Sequence, residues 1–148
     1  MSSPFKRIHQ VGIAVNDIEA ASEKFSRMFN VEQAPIEHDA SESGGGAYFC
    51  GLKIGPDVFE LMKEDGDGPI ARFLERRGEG IYCIFMEVTN LDEAIETMTA
   101  EGVSFTSEEP VVLTDATYYG QEYSSVRLTW THPKTTHGVM IELQEFNV

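Results

Sequence analysis

A chain of 148 residues fits one domain, or two small fused units sharing a core, and can bury about 68–70% of its unfolded surface. Its 25 acids against 11 bases give a net charge of −14, which argues against nucleic acid, since phosphate binding needs a basic face. An anionic ligand would need a local cluster such as Lys63, Arg72, Arg76 and Arg77. No apolar run approaches the roughly 20 residues that span a bilayer, and no apolar h-region follows Lys6 and Arg7, so neither a membrane nor a secretory signal is expected. A cytoplasmic protein with Cys50 and Cys83 as buried free thiols is the expectation.

Residues 8–15 alternate as a strand, with Val11, Ile13 and Val15 on one face and Gln10, Gly12 and Ala14 on the other. Asn16-Asp17 supplies an N-cap, and Ile18, Ala21, Phe25, Met28 and Phe29 at helical spacing predict a helix over 17–29 ending at Asn30. Residues 33–46 are largely polar. Tyr48–Leu52 reads as a strand, Gly55-Pro56-Asp57 as a turn, and Val58–Met62 as a strand whose Phe59 and Leu61 oppose Glu60. An acidic turn over 64–67 leads into a short helix opened by Gly68 and Pro69, striped by Ile70, Phe73 and Leu74, and followed by Gly78.

The second half repeats the first. Residues 80–88 form a strand, Thr89-Asn90 a cap, and Leu91, Ala94, Ile95 and Met98 a helix ending at Gly102. Val103–Phe105 is a short strand, followed by a polar loop holding Tyr118, Tyr119 and Tyr123. Ser125–Thr131 alternates with Val126, Leu128 and Trp130 together; His132-Pro133-Lys134 turns the chain. In the last strand, 138–144, Val139, Ile141 and Leu143 oppose Met140, Glu142 and Gln144.

Residues 10–21 overlay on 83–94, and Phe59-Glu60-Leu61 overlays on Ile141-Glu142-Leu143. The pairing sets Gln10 with Cys83 and Glu60 with Glu142. A Glu in the middle of an apolar strand is costly in a dry interior, so it is paired, ligating or solvated. One βαβββ unit alone leaves a sheet face unburied. The predicted architecture is therefore α+β, with two paired βαβββ modules forming a partly open barrel-like cup. It is a single domain over 1–148 with internal repeats at about 8–62 and 81–144, and Glu60 and Glu142 aim into a shared hollow.

The pattern resembles the vicinal oxygen chelate superfamily, the paired βαβββ fold of glyoxalase I, extradiol dioxygenases and methylmalonyl-CoA epimerase, and it is most similar to the epimerase group. The resemblance rests on QVGIAV at 10–15, Phe59-Glu60-Leu61-Met62, GPIARFLERRGEG at 68–80, Ile81–Val88, His132-Pro133-Lys134 and GVMIEL at 138–143. It implies metal ligands at the places of Gln10, Glu60, Cys83 and Glu142, although the family has His where this chain has Gln10 and Cys83. It further implies two catalytic carboxylates, matched by Glu142 and, by its distance ahead of Tyr48-Phe49, Glu42. A homodimer and an acyl-CoA substrate follow from the same likeness.

Epimerisation alpha to a thioester removes a proton on one face and returns one on the other, which two opposed carboxylates suit. A divalent cation would stabilise the enolate as a Lewis acid. A Gln carbonyl is a weak, hard ligand and a thiolate a soft one, so the four positions make an ill-matched set. His9 cannot replace Gln10 without a bulge, because period two turns it to the opposite face; a packing or surface role is expected. Tyr82 and His132 are candidates for the substrate pocket, beside readings as an outward-packing ring and a loop histidine. Three functions stay open: an epimerase-like isomerase, a metal-free lyase or isomerase, and a non-catalytic small-molecule-binding protein.

Overall fold

The computed structural model describes residues 2–40 and 46–148. Among them run, in order, β1 (Phe5–Ala14), α1 (Ile18–Phe29), β2 (Glu37–Ala40), β3 (Gly46–Ile54), β4 (Asp57–Glu64), α2 (Pro69–Arg77), β5 (Gly80–Val88), α3 (Leu91–Ala100), β6 (Val111–Tyr118), β7 (Gln121–Trp130) and β8 (Ile141–Asn147). A short 3-10 turn, Pro133–Thr135, precedes β8. The class is α+β, as the periodicity predicts. The chain divides into two compact units, one of Gln10–Tyr82 and one of Met1–His9 with Cys83–Val148. No helix among the described residues is long and apolar enough to cross a membrane.

In the Gln10–Tyr82 unit the strands lie in the order β2-β3-β4-β1. β1 is parallel to β4, with Val11 opposite Phe59 and Gly12 opposite Glu60; β3 is antiparallel to both β2 and β4. A parallel pair needs a crossover connection, and α1 lies on it. Asp17 caps α1 by accepting the Ala20 N–H at 3.0 Å, and Asn30 ends it in the left-handed region at φ 52°. Ile13, Val15, Ile18, Cys50, Leu52 and Leu61 form the core beneath α1. The buried stripe of that helix differs from the apolar pattern: Ser22 and Ser26 are buried while Met28 is 59% exposed. Small side chains let the helix sit close to β3, where Ser22 Oγ comes within 3.4 Å of Cys50 Sγ. The Ser26 hydroxyl is satisfied internally by donating to the Ser22 carbonyl at 2.6 Å.

The start of α2 depends on Glu64 and Gly68. Glu64 is buried, and its Oε1 accepts the Ile70 N–H at 3.1 Å and the Ala71 N–H at 3.4 Å. A carboxylate at a helix N-terminus satisfies donors that have no partner inside the helix. Any Cβ at position 68 would collide with that carboxylate. Glycine is the residue that lets Glu64 reach.

In the other unit β5, β8, β7 and β6 follow one another across the sheet. β5 is parallel to β8, and β7 is antiparallel to β8 and β6. The start of β1 is tied to the end of β5: Lys6 and Arg7 each reach Glu87 at 3.3 Å, and the Thr89 N–H donates to the Pro4 carbonyl at 2.8 Å. Asn90 caps α3 by accepting the Glu93 N–H at 3.0 Å. Leu91 and Ala94 then pack on Val88 and Leu143.

Three stretches differ from the sequence reading. The polar loop expected after residue 106 contains the β6–β7 hairpin, closed by Tyr119 and Gly120, both at positive φ (47° and 85°). β6 hides from pattern reading because it is the outermost strand and exposes Val111, Val112 and Leu113. With both faces of that stretch exposed, its side chains need not alternate. Val103–Phe105 reduces to one bridge, Phe105 with Thr131. In the 33–46 stretch, Glu37–Ala40 pairs as β2.

Candidate active site

The two repeats carry the same register. In β1 and β4 the parallel ladder sets Gln10 opposite Val58 and Gly12 opposite Glu60. Side chains two residues apart share a face, so Gln10 and Glu60 are diagonal neighbours on one side of that unit's sheet. In the other unit Phe85 stands opposite Glu142, so Cys83 and Glu142 are related in the same way. Phe59 and Leu61 pack with the α1 core, and Ile141 and Leu143 with the α3 core. Helix cover on one face thus fixes which face each glutamate takes.

Glu142 is the best-defined member. Trp130 is its direct cross-strand partner on β7, and Leu128 is the partner of Gln144. The indole Nε1–H donates to Glu142 Oε1 at 2.6 Å, and the Gln144 amide Nε2–H donates to Oε2, also at 2.6 Å. Each carboxylate oxygen therefore receives an N–H. These two contacts fix the orientation of the carboxylate. Gln144 in turn lies 2.6 Å, through Oε1, from His9 Nε2. His9 is 5% exposed and Gln144 2%. The Phe146 ring meets the imidazole edge-on at 5.7 Å, and Tyr118 is tilted against it at 6.0 Å.

Sequence reasoning found Glu142 but not this support. Trp130 read as part of an apolar row, Gln144 as a flank of the glutamate, and His9 as a packing or surface residue. The available signal was the i, i+2 spacing of Glu142 and Gln144 on one strand face. The contact of His9 joins strands 135 residues apart in the chain, which no local pattern reveals.

Behind β8 a second polar group secures the strand. Glu145 Oε2 accepts the Leu91 N–H at 2.6 Å, and Arg127 bridges Glu145 (3.4 Å) and Asp92 (2.9 Å). Burial pushes the Glu145 carboxyl up, but the Leu91 N–H, the Asn147 amide and Arg127 together outweigh it and hold the group below its ordinary value. Asp92 is also lowered, through its hydrogen bond and charge pairing with Arg127.

The other expected site residues are placed as follows. Tyr82 is half-buried, with its ring edge-on to Phe73 at 5.3 Å. His132 is exposed and its Nδ1 accepts the Lys134 N–H at 3.4 Å, capping the 3-10 turn. Glu42 lies outside the described residues.

The residues at the four expected ligand positions do not match a divalent metal. Each Glu142 oxygen already accepts one N–H, from Trp130 or Gln144, which leaves a single lone pair on each for any further partner. Cys83 is buried, with Sγ 3.6 Å from the Ile84 carbonyl, and a soft thiolate is poorly matched to hard carboxylate and amide oxygens. Gln10 is 3% exposed, and its Oε1 has no hydrogen-bond partner among the described residues; it is the one atom of the set that calls for a ligand. Among the described residues no three His, Cys, Asp or Glu side chains group closely enough to hold a metal ion.

Residues 9–120 match the family described as Glyoxalase/Bleomycin resistance protein/Dioxygenase superfamily. The chain is 27% identical over 141 residues to the mitochondrial methylmalonyl-CoA epimerase of Dictyostelium discoideum, covering 94% of this chain and 78% of that one. It is 28% identical over 142 residues to the ethylmalonyl-CoA/methylmalonyl-CoA epimerase of Cereibacter sphaeroides, covering 94% and 97%. The crystal structure of methylmalonyl-CoA epimerase from Mycobacterium tuberculosis aligns with a TM-score of 0.77 at 26% identity, covering 100% of this chain and 93% of that one.

Proposed function

We propose that this chain, which belongs to the glyoxalase/bleomycin resistance protein/dioxygenase superfamily, is an epimerase-like isomerase that moves a proton at the carbon alpha to an acyl-CoA thioester. The observation that carries the reading is the Glu142 carboxylate, held at both oxygens by the N–H groups of Trp130 and Gln144. The resemblance carried by GVMIEL at 138–143 supports taking Glu142 as one of the two carboxylates that move the proton. The epimerase relatives support the substrate class.

In this reading Glu142 takes the α-proton: the C–H bond breaks and its electron pair delocalises onto the thioester oxygen. Glu42 returns a proton on the opposite face, giving the inverted centre. Two hydrogen bonds hold the base before substrate arrives, so the ordering cost is met in folding rather than at the barrier. No step runs through a metal.

The test is deuterium wash-in from heavy water into 2-methylmalonyl-CoA and 2-ethylmalonyl-CoA. Wild-type protein incorporates deuterium at the α-carbon above the buffer rate, and Glu142→Gln loses about 10²–10⁴ of that acceleration, the usual contribution of a general base. Replacement of the family imidazoles by Gln10 and Cys83 favours a second reading, a protein that binds the thioester without turning it over. Saturable thioester binding with no wash-in would select it over the isomerase.

A further inference from the structure

We infer that His9 is a positioning residue for the Glu142 base and acts on it through Gln144. The inference rests on the reading of Glu142 as the base and extends it to a residue 133 positions away, whose imidazole meets the Gln144 amide.

The polarity of the chain of contacts follows from donor and acceptor chemistry. An ionised carboxylate only accepts, so the group that Gln144 turns to Glu142 Oε2 is its NH₂. The Gln144 carbonyl oxygen then faces His9, and because that oxygen also only accepts, His9 Nε2 carries a hydrogen and donates it. Three side chains thus point their hydrogens one way, from imidazole to amide to carboxylate, and the indole closes the other oxygen. A Gln side chain by itself has two amide orientations of similar shape. Only one presents hydrogens to Glu142, and the His9 N–H selects it. His9 is held in turn: it is 5% exposed and packed against the rings of Phe146 and Tyr118, which also meet each other. A histidine used only for packing has no need to aim a nitrogen at 2.6 Å from a buried amide.

The experiment compares His9→Phe, Gln144→Leu and the double variant by two readouts. Phe keeps the aromatic packing and removes the donor. Trp130 is the chain's one tryptophan, so its indole ¹H–¹⁵N resonance is a unique reporter on Glu142. The inference expects His9→Phe to shift that resonance while the remaining spectrum stays folded. It also expects kcat for α-proton exchange to fall about 10- to 100-fold, as for a misplaced catalytic group, with KM within about twofold. The double variant should lose no more than Gln144→Leu alone, because both act through one contact. A long-range imidazole ¹⁵N spectrum should show the Nε2–H form of His9. An unmoved indole resonance in His9→Phe, additive losses, or an Nδ1–H tautomer overturns the inference. If wild type shows no exchange, the isomerase reading fails on its own, while the indole shift and the tautomer still decide whether His9 orients Glu142.

Discussion

Replacing Glu142 by Gln changes almost no volume, yet the structure assigns it a substantial cost in stability. The carboxylate accepts from Trp130 Nε1 and Gln144 Nε2, each at 2.6 Å. A glutamine there keeps one acceptor oxygen and turns an NH₂ toward the other donor. The surviving bond loses its charge assistance, about 1 kcal/mol, and the opposed donor is left unsatisfied at about 1–3 kcal/mol. Removing a half-buried charge returns some desolvation energy, so the net expectation is a loss of about 2–3 kcal/mol. For a chain of 148 residues that corresponds to a fall in Tm of about 4–12 °C, taking ~2–4 °C per kcal/mol. Calorimetry of wild type, Glu142→Gln, Trp130→Phe and the double variant measures it, and the cycle isolates the indole–carboxylate term. The reasoning is refuted if Glu142→Gln melts at or above the wild-type temperature. That result would mean the carboxylate is a strained functional group stabilised by its removal, and that the two short contacts do not support it.

Further outcomes follow from other parts of the structure. Glu145 and Asp92 have folded pKa values below their ordinary ones, so each contributes stability that is fully present above the unfolded value of about 4 and is lost as pH falls through the folded value. Thermal melts from neutral pH down to about 3 should therefore show an acid limb that Glu145→Gln flattens; an unchanged limb contradicts the pairing with Leu91 and Arg127. Gly68→Ala should drive the Glu64 carboxylate off the Ile70 and Ala71 N–H groups and cost about 1–2 kcal/mol, the scale of a lost helix cap, read by denaturant unfolding. Protein purified without chelators should carry far less than one divalent metal per chain, with Tm unmoved by EDTA. Stoichiometric metal that EDTA strips with a fall in Tm would show that Gln10, Glu60, Cys83 and Glu142 ligate despite their chemistry.

The fold was legible where one face of an element is buried against a helix. Phe59 and Leu61 against α1, and Ile141 and Leu143 against α3, impose period two on β4 and β8, and that period located Glu60 and Glu142. The caps at Asp17 and Asn90 were legible for a local reason, since each accepts an N–H three residues on. β6 was not, because an outermost strand with exposed Val111, Val112 and Leu113 carries no such constraint. The Ser22–Ser26 stripe of α1 was missed because close helix approach selects for small side chains, which hydropathy counts as polar.

The site shows the same division in a sharper form. A carboxylate is visible in sequence as a charge out of place, but the groups that make it tolerable are not, because each looks ordinary alone. Trp130 is an aromatic in an apolar row, Gln144 a polar residue near a chain end, and His9 a histidine on the wrong side of a strand from the position being sought. Only pairing brings them together: β7 sets Trp130 across from Glu142, and β8 places Gln144 two residues along the same face. An amide oxygen at Gln10 and a thiol at Cys83 are an ill-matched pair for one cation, whereas the N–H groups of Trp130 and Gln144 supply what an ionised carboxylate needs. On the proposed reading Glu142 is the base, and the hydrogen-bond donors around it make proton transfer there the first chemistry to test.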